Sequence, residues 1–366
     1  MKKKRIVVKI GSSSLTNEQG EIDQTKLMDH VCALAVLKEA KHEVILVSSG
    51  AVAAGFKKLG YPTLPVTVKG RQAAAAVGQS LLIQLYTEKL NEFHIVPAQI
   101  LLTRSDFADR SRFRNAFATI TELLERGLLP IINENDTVAV DELTFGDNDM
   151  LSSLVSGFIH ADMLIILTDI NGLYDANPQT DPNAKKFDRI EEITDELLTL
   201  ADGTGSKVGT GGMKSKLLAA KTALSLGVPV FIGKGEGKEK LIQILKGEGN
   251  GTYITNKSLG SINANRQWIA FHSETSGKIY VDEGAEEAIL YKGSSLLPAG
   301  VFQVKGTFQK GDVVEVFGTS GLIGRGEVAY SSDELREFIQ NKRSNPKKRT
   351  MMPATEVIHR NRWVSV

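Results

Sequence analysis

Through the first two thirds of this 366-residue chain, short apolar runs alternate with helical stretches, and that alternation most limits the fold. Arg5–Ile10 reads as a strand, and Asp23 then caps a helix running to about Ala40. Val44–Val47 is a second β run, followed by an Ala-rich helix over roughly Val68–Phe93 and a strand over Ile95–Leu101. A helix over Arg112–Arg126 stops at Gly127, and Leu128–Ile132 is the next strand. A helix near Met150–Ile159, the strand Met163–Leu167, a helix over Met213–Leu226 and the strand Val228–Ile232 complete the series. Strands without polar alternation, joined by helices, predict an α/β/α sandwich around a parallel sheet. Ligands of such sheets bind beyond the carboxyl ends of the strands, so the turns there are where chemistry is expected.

The pattern changes after Gly249-Asn250-Gly251. Lys278–Val281, Ala288–Tyr291, Gly300–Lys305, Val313–Val316 and Gly324–Tyr330 are short β runs punctuated by glycine, which predicts a small, mostly-β second domain. The expected division is an α/β domain over 1–256, a linker over 257–274, the β domain over 275–355 and a C-terminal tail over 356–366.

Composition narrows the class. With 42% hydrophobic and 24% charged residues the chain reads as a soluble globular protein. No apolar run approaches the ~20 residues that cross a bilayer. The basic start, Lys2-Lys3-Lys4-Arg5, leads into a lysine-bearing strand and not a signal-peptide core, so a cytoplasmic protein is expected. The single cysteine, Cys32, has no internal partner and sits in an apolar helical stretch, where a core role is expected. A net charge of +1 gives no global reason to bind nucleic acid, although residues 256–366 carry a net +3 and include the basic stretch Lys342–Arg349.

Four turns, each ending a predicted strand, gather the chemistry. Lys9-Ile10-Gly11-Ser12-Ser13-Ser14 offers backbone N–H groups and hydroxyls suited to phosphate, and Lys9 in an apolar strand calls for an anion. Ser48-Ser49-Gly50-Ala51 opens a helix whose free N–H groups suit a carboxylate or phosphate equally. Asn133-Glu134-Asn135-Asp136 and Phe145-Gly146-Asp147-Asn148-Asp149 crowd acids and amides after a strand. Such groups can hold an ammonium, a metal or nearby lysines, or serve as turns and caps; capping is the expectation for Asp147, function for Asn148 and Asp149. Gly209-Thr210-Gly211-Gly212-Met213-Lys214-Ser215-Lys216 joins flexible glycines, a helix start and two lysines, which favours polyphosphate. Lys214 and Lys216 are two apart and do not share a helix face, so at most one reaches the reacting phosphate. Walker A spacing is missing, as are the H-R-D and D-F-G motifs of protein kinases.

Taken in order, these motifs resemble the glutamate 5-kinase family of the amino acid kinase superfamily, across the whole predicted α/β domain. Ser215 stands where that family often has threonine, and the hydroxyl is kept. Ala299-Gly300-Val301 and Gly311-Asp312-Val313-Val314 resemble a PUA domain. The resemblance implies ATP-dependent phosphorylation of the γ-carboxylate of L-glutamate, the first step of proline biosynthesis. It implies catalytic roles for Lys9, Lys216 and Asp149, the carboxylate holding both lysines. It implies glutamate binding by Ser49, Gly50, Asn133, Asp136 and Asn148, and ATP binding by Lys9, Gly11, Ser12, Thr168, Asp169, Thr210, Gly211, Gly212, Met213, Lys214, Ser215 and Lys216. Feedback inhibition by proline, transfer of the labile product to a reductase, and a dimer or tetramer with the Ala73–Leu85 helix as a candidate surface are implied in the same way.

The chemistry agrees. A glutamate side chain, pKa ~4.3, is already an anion at neutral pH and needs no general base. None of the six histidines lies in these turns. Mg²⁺ is expected to travel on the ATP phosphates, with no protein metal site. Two alternatives remain: a kinase for another small acid such as aspartate or carbamate, among which Asp136 discriminates because a free α-ammonium needs a carboxylate partner and an acetylated amine does not, and an RNA-binding protein acting through the β domain.

Overall fold

The structure, a computed structural model, describes residues 2–139, 148–176, 181, 183–202, 212–255, 269, 275–319, 321–344 and 356–365. The chain divides into two units, one comprising Met1–Asp106 and Arg112–Ser261, the other Ile262–Val366 with Phe107–Ser111.

In the first unit the strands are β1 (Arg5–Ile10), β2 (Glu43–Ser48), β3 (Pro97–Leu102), β4 (Leu129–Glu134), β5 (Met163–Leu167), β6 (Leu173–Tyr174), β7 (Lys186–Phe187), β8 (Arg189–Ile190), β9 (Val230–Gly233) and β10 (Gly251–Ile254). The helices are α1 (Gln24–Glu39), α2 (Ala51–Gly55), α3 (Val68–Asn91), α4 (Arg104–Ala108), α5 (Arg110–Glu125), α6 (Asn148–Phe158), α7 (Asp195–Asp202), α8 (Met213–Ser225) and α9 (Lys240–Lys246). Eight strands form one sheet in the order β3-β4-β2-β1-β5-β9-β10-β8. From β3 to β9 every pairing is parallel, as the apolar strands predict. β10 departs from that expectation and runs antiparallel to β9.

The parallel register aligns the carboxyl ends of β1, β2, β4, β5 and β9, and the turns at Lys9–Ser14, Ser48–Ala51 and Asn133–Asp136 follow β1, β2 and β4. Asn148-Asp149 and Gly212–Lys216, expected to end strands, instead open helices α6 and α8. β1 lies between β2 and β5, with Lys9 opposite Val47 and Ile166. Asp23 caps α1 by accepting from Thr25 and Lys26 N–H. Cys32 is half-buried, short of the core position expected of it.

Two glycines set the seat of the second turn. A Cβ on Gly78 of α3 would lie 1.8 Å from the carbonyl oxygen of Ala51, and one on Gly55 of α2 would lie 2.0 Å from that of Ala74. Only glycine lets these helices touch backbone to backbone. Ala74, Ala75, Gly78 and Leu82 are therefore used inside this unit.

The second unit has a five-stranded sheet: β11 (Thr275–Val281), β12 (Val301–Gly306), β13 (Val313–Phe317), β14 (Leu322–Glu327) and β15 (Trp363–Ser365), in the order β12-β11-β13-β14-β15. The strand expected over 288–291 is instead the end of a helix, Glu283–Leu290. Asp282 caps that helix by accepting from Ala285 N–H, and Ile289 is its buried residue. The strand expected over 324–330 runs Leu322–Glu327. The stretch set apart as a tail contributes β15, where Trp363 pairs with Gly326. The expected linker, 257–274, lies outside the described residues except for Ile269.

Candidate active site

The centre of the site is a carboxylate with two lysines. Asp149 stands in the first turn of α6, where the helix dipole favours an anion, and is fully buried. Lys9 Nζ lies 2.5 Å from its Oδ1, and Lys216 Nζ lies 3.1 Å from its Oδ2. Ser215 Oγ, with one hydrogen to give, lies 3.0 Å from the same Oδ2 and 2.9 Å from the carbonyl oxygen of Gly212. Burial alone would push the Asp149 carboxyl up; Lys9 and then Lys216 outweigh it and hold the group well below the usual carboxylate range. Two ammonium groups on one carboxylate leave these three side chains with a net positive charge in a water-poor place, which suits a bound polyanion.

Phosphate-binding features surround that charge. Gly11 follows β1, and a Cβ there would meet Lys9 Nζ at 3.3 Å, so glycine keeps the ammonium reachable. Ser12–Ser14 forms one 3₁₀ turn. Gly212 starts α8 with no side-chain cap, which leaves the N–H groups of the first turn open to an anion. Met213 and Lys216 are buried on α8, while Lys214 and Ser215 are half-buried. Thr168 and Asp169 follow β5: Thr168 Oγ1 donates to Asp169 Oδ1 at 3.0 Å, and Thr168 N–H donates to Gly233 O at 3.0 Å. Thr210 and Gly211, expected to bind ATP, lie outside the described residues, as do Gly209 and Phe145-Gly146-Asp147.

A second cluster adjoins the first through Asn148. Its Nδ2, with two hydrogens to give, lies within hydrogen-bonding distance of three acceptors: Ser48 O at 2.9 Å, Asn133 Oδ1 at 2.8 Å and Ser49 Oγ at 3.1 Å. Gly50, in the left-handed region at φ 106°, turns the chain from β2 into α2. Asp136, in the turn after β4, is half-buried; burial raises its carboxyl above the ordinary value and the Arg71 charge partly opposes that.

Three contributors escaped the motif reading. Gln79 Oε1 accepts from Asn133 Nδ2 at 2.7 Å, and Tyr86 OH meets Ser48 Oγ at 2.9 Å. His30 Nε2 lies 3.1 Å from the carbonyl of Ser14, so one histidine does support the first turn. All three sit inside helices far from the turns in sequence, with no local signature to reveal them.

Comparison with known proteins decides the family. The description "Amino acid kinase family" matches residues 4–234, and "PUA domain" matches residues 277–349. The chain belongs to the amino acid kinase family. "Glutamate 5-kinase 1" of Bacillus licheniformis is 68% identical over 366 residues, covering 100% of both chains. "Glutamate 5-kinase 1" of Bacillus subtilis strain 168 is 64% identical, again covering 100% of both chains. Among solved structures, a carbamate kinase from Giardia lamblia bound to AMP-PNP has a TM-score of 0.52 at 18% identity, covering 70% of this chain and 99% of its own. That likeness shows the amino acid kinase fold alone. No helix among the described residues is long and apolar enough to cross a membrane.

Proposed function

We propose that this chain transfers the γ-phosphoryl group of ATP to the side-chain carboxylate of L-glutamate, forming L-glutamyl 5-phosphate and ADP, the first step of proline biosynthesis. The observation that carries the reading is the pair of lysines on Asp149 beside the Asn148–Asn133–Ser49 cluster, in a chain 68% identical along its whole length to a protein named glutamate 5-kinase.

A glutamate oxygen attacks the γ-phosphorus, the bond from that phosphorus to the β-bridging oxygen breaks, and the charge passes to ADP. No proton has to move, so the work is alignment and charge neutralisation. Lys9 and Lys216 would meet the moving phosphoryl group, and Asp149 would set both ammonium groups in place without touching it. Gly11, Ser12, Gly212, Met213, Lys214 and Ser215, with Thr210 and Gly211, would hold the phosphates; Thr168 and Asp169 would line the rest of the nucleotide site. Ser49, Gly50, Asn133 and Asn148 would bind the acceptor, and Asp136 its ammonium group.

Mg²⁺, when bound, would neutralise phosphate oxygens. Its shell would be completed by the ATP phosphates and water. We assign the kinase machinery to residues 1–256 and an accessory role to the PUA-type domain. Cytoplasmic location, proline inhibition, self-association and a reductase that takes the labile product complete the reading.

The test is a panel of acids, each with ATP and Mg²⁺, with hydroxylamine present to trap acyl phosphates. Hydroxamate from glutamate, and little from aspartate, N-acetylglutamate or carbamate, is expected. Preference for any of the others would replace the reading.

A further inference from the structure

α3 carries Gln72, Gln79 and Tyr86 at seven-residue spacing, nearly two helical turns, which puts them on one stripe. Each reaches a different segment on the acceptor side. Gln72 Nε2 donates to Ala139 O at 3.3 Å, Gln79 Oε1 accepts from Asn133 at 2.7 Å, and Tyr86 meets Ser48.

One backbone group fixes the direction of the amide chain. Glu134 N–H can only donate, so the Asn133 atom it meets at 2.9 Å is the oxygen. Asn133 therefore presents its nitrogen to Gln79 and its oxygen to Asn148. Gln79 must turn its oxygen toward Asn133 and its nitrogen away, while Asn148 turns its own oxygen away. Among the described residues neither Gln79 Nε2 nor Asn148 Oδ1 has a protein partner, and neither is sealed from solvent. The network thus leaves one outward donor and one outward acceptor.

Their order along the site matters. Along the hydrogen-bonded chain Gln79 is the member farthest from Asp149: it meets Asn133, Asn133 meets Asn148, and Asn148 adjoins Asp149 in sequence, which puts Gln79 toward the end away from the lysines. An amino acid whose reacting carboxylate lies at the lysines brings its other carboxylate to that end. We propose that Gln79 is a specificity-determining residue whose Nε2 donates to the α-carboxylate of the amino-acid acceptor, beside Asp136 at the ammonium group. The proposal rests on glutamate being the acceptor.

Gln79→Glu tests it, because the new side chain keeps an oxygen to accept from Asn133 and replaces the outward donor with an anion. 4-Aminobutyrate is the probe: it retains the ammonium and the distal carboxylate and lacks the α-carboxylate. In the variant the KM for glutamate rises about ten- to hundredfold, as expected for a lost hydrogen bond to a charged group. The inhibition constant of 4-aminobutyrate stays within about twofold or tightens, and kcat falls far less than KM rises. A glutamate KM within about twofold of wild type overturns the proposal, as does weakening of both ligands in step, which marks a purely structural role. Wild-type protein that fails to phosphorylate glutamate overturns the functional reading itself, before Gln79 is at issue.

Discussion

Lys9 Nζ lies 2.5 Å from Asp149 Oδ1, and the two side chains are only 5% and 0% exposed. A lysine in the middle of a parallel sheet and an aspartate 140 positions later form one buried pair. Lys216 makes it a triad from a third element. The two acidic residues of the site consequently have different environments: Asp149 is held ionised by lysines, while Asp136 is burdened by burial with Arg71 as its counterweight.

Asp149→Asn should lower kcat by about a hundredfold or more while changing the glutamate KM little, because it orients groups that act on the transition state. Asp136→Asn should raise the glutamate KM with a smaller effect on kcat, since an ammonium contact is present before and during transfer. Steady-state kinetics on both variants check this. Interchanged signatures would reverse the two assignments.

Gly78→Ala forces a Cβ to within 1.8 Å of Ala51 O and must push α2 off α3. A stability loss of about 2 kcal/mol or more follows, with a raised glutamate KM because Gly50 is the N-cap of α2. Gly284→Ala, whose Cβ would meet only Asp282 Oδ1 at 3.6 Å, should leave thermal unfolding close to wild type. Equal melting temperatures for the two variants would contradict the packing account.

The first two turns were legible because the strands before them are apolar, so Lys9 and Gly50 mark their own positions, while Gly212 was legible as the glycine that opens helix α8. What lay beyond the sequence was long-range or aperiodic. Gln79 is 54 positions from Asn133 on an Ala-rich helix. Ala288-Ile289-Leu290-Tyr291 is a continuous apolar run that fits strand or helix alike, and Asp282, the cap that decides, precedes it by six residues. β10 pairs antiparallel with β9, and its few residues contain no mark of direction.

His30 predicts a pH effect. Burial, then the Lys240 charge, lower its pKa from 6.5 to about 4, while the Ser14 carbonyl works the other way. The unfolded chain therefore takes up this proton before the folded one. Stability is fully present above pH 6.5 and falls as the pH drops toward 4, by an amount on the order of 3 kcal/mol. His42 and His160 shift in the same direction, so the difference between wild type and His30→Gln isolates the effect. Urea unfolding across this range should show a flatter pH dependence in the variant; parallel curves would remove His30 as the cause.

The central claim is that two lysines, aligned by one buried carboxylate, drive phosphoryl transfer to glutamate. The most direct measurement is the rate of glutamyl hydroxamate formation at saturating glutamate, ATP and Mg²⁺ for wild type, Lys9→Met and Lys216→Met, each shown to be folded by circular dichroism. Loss of one electrostatic contact to the transition state costs ~3 kcal/mol, so each variant should be slower by about a hundredfold or more. A folded variant turning over within about threefold of wild type would contradict the claim for that lysine, and two such variants would contradict it altogether.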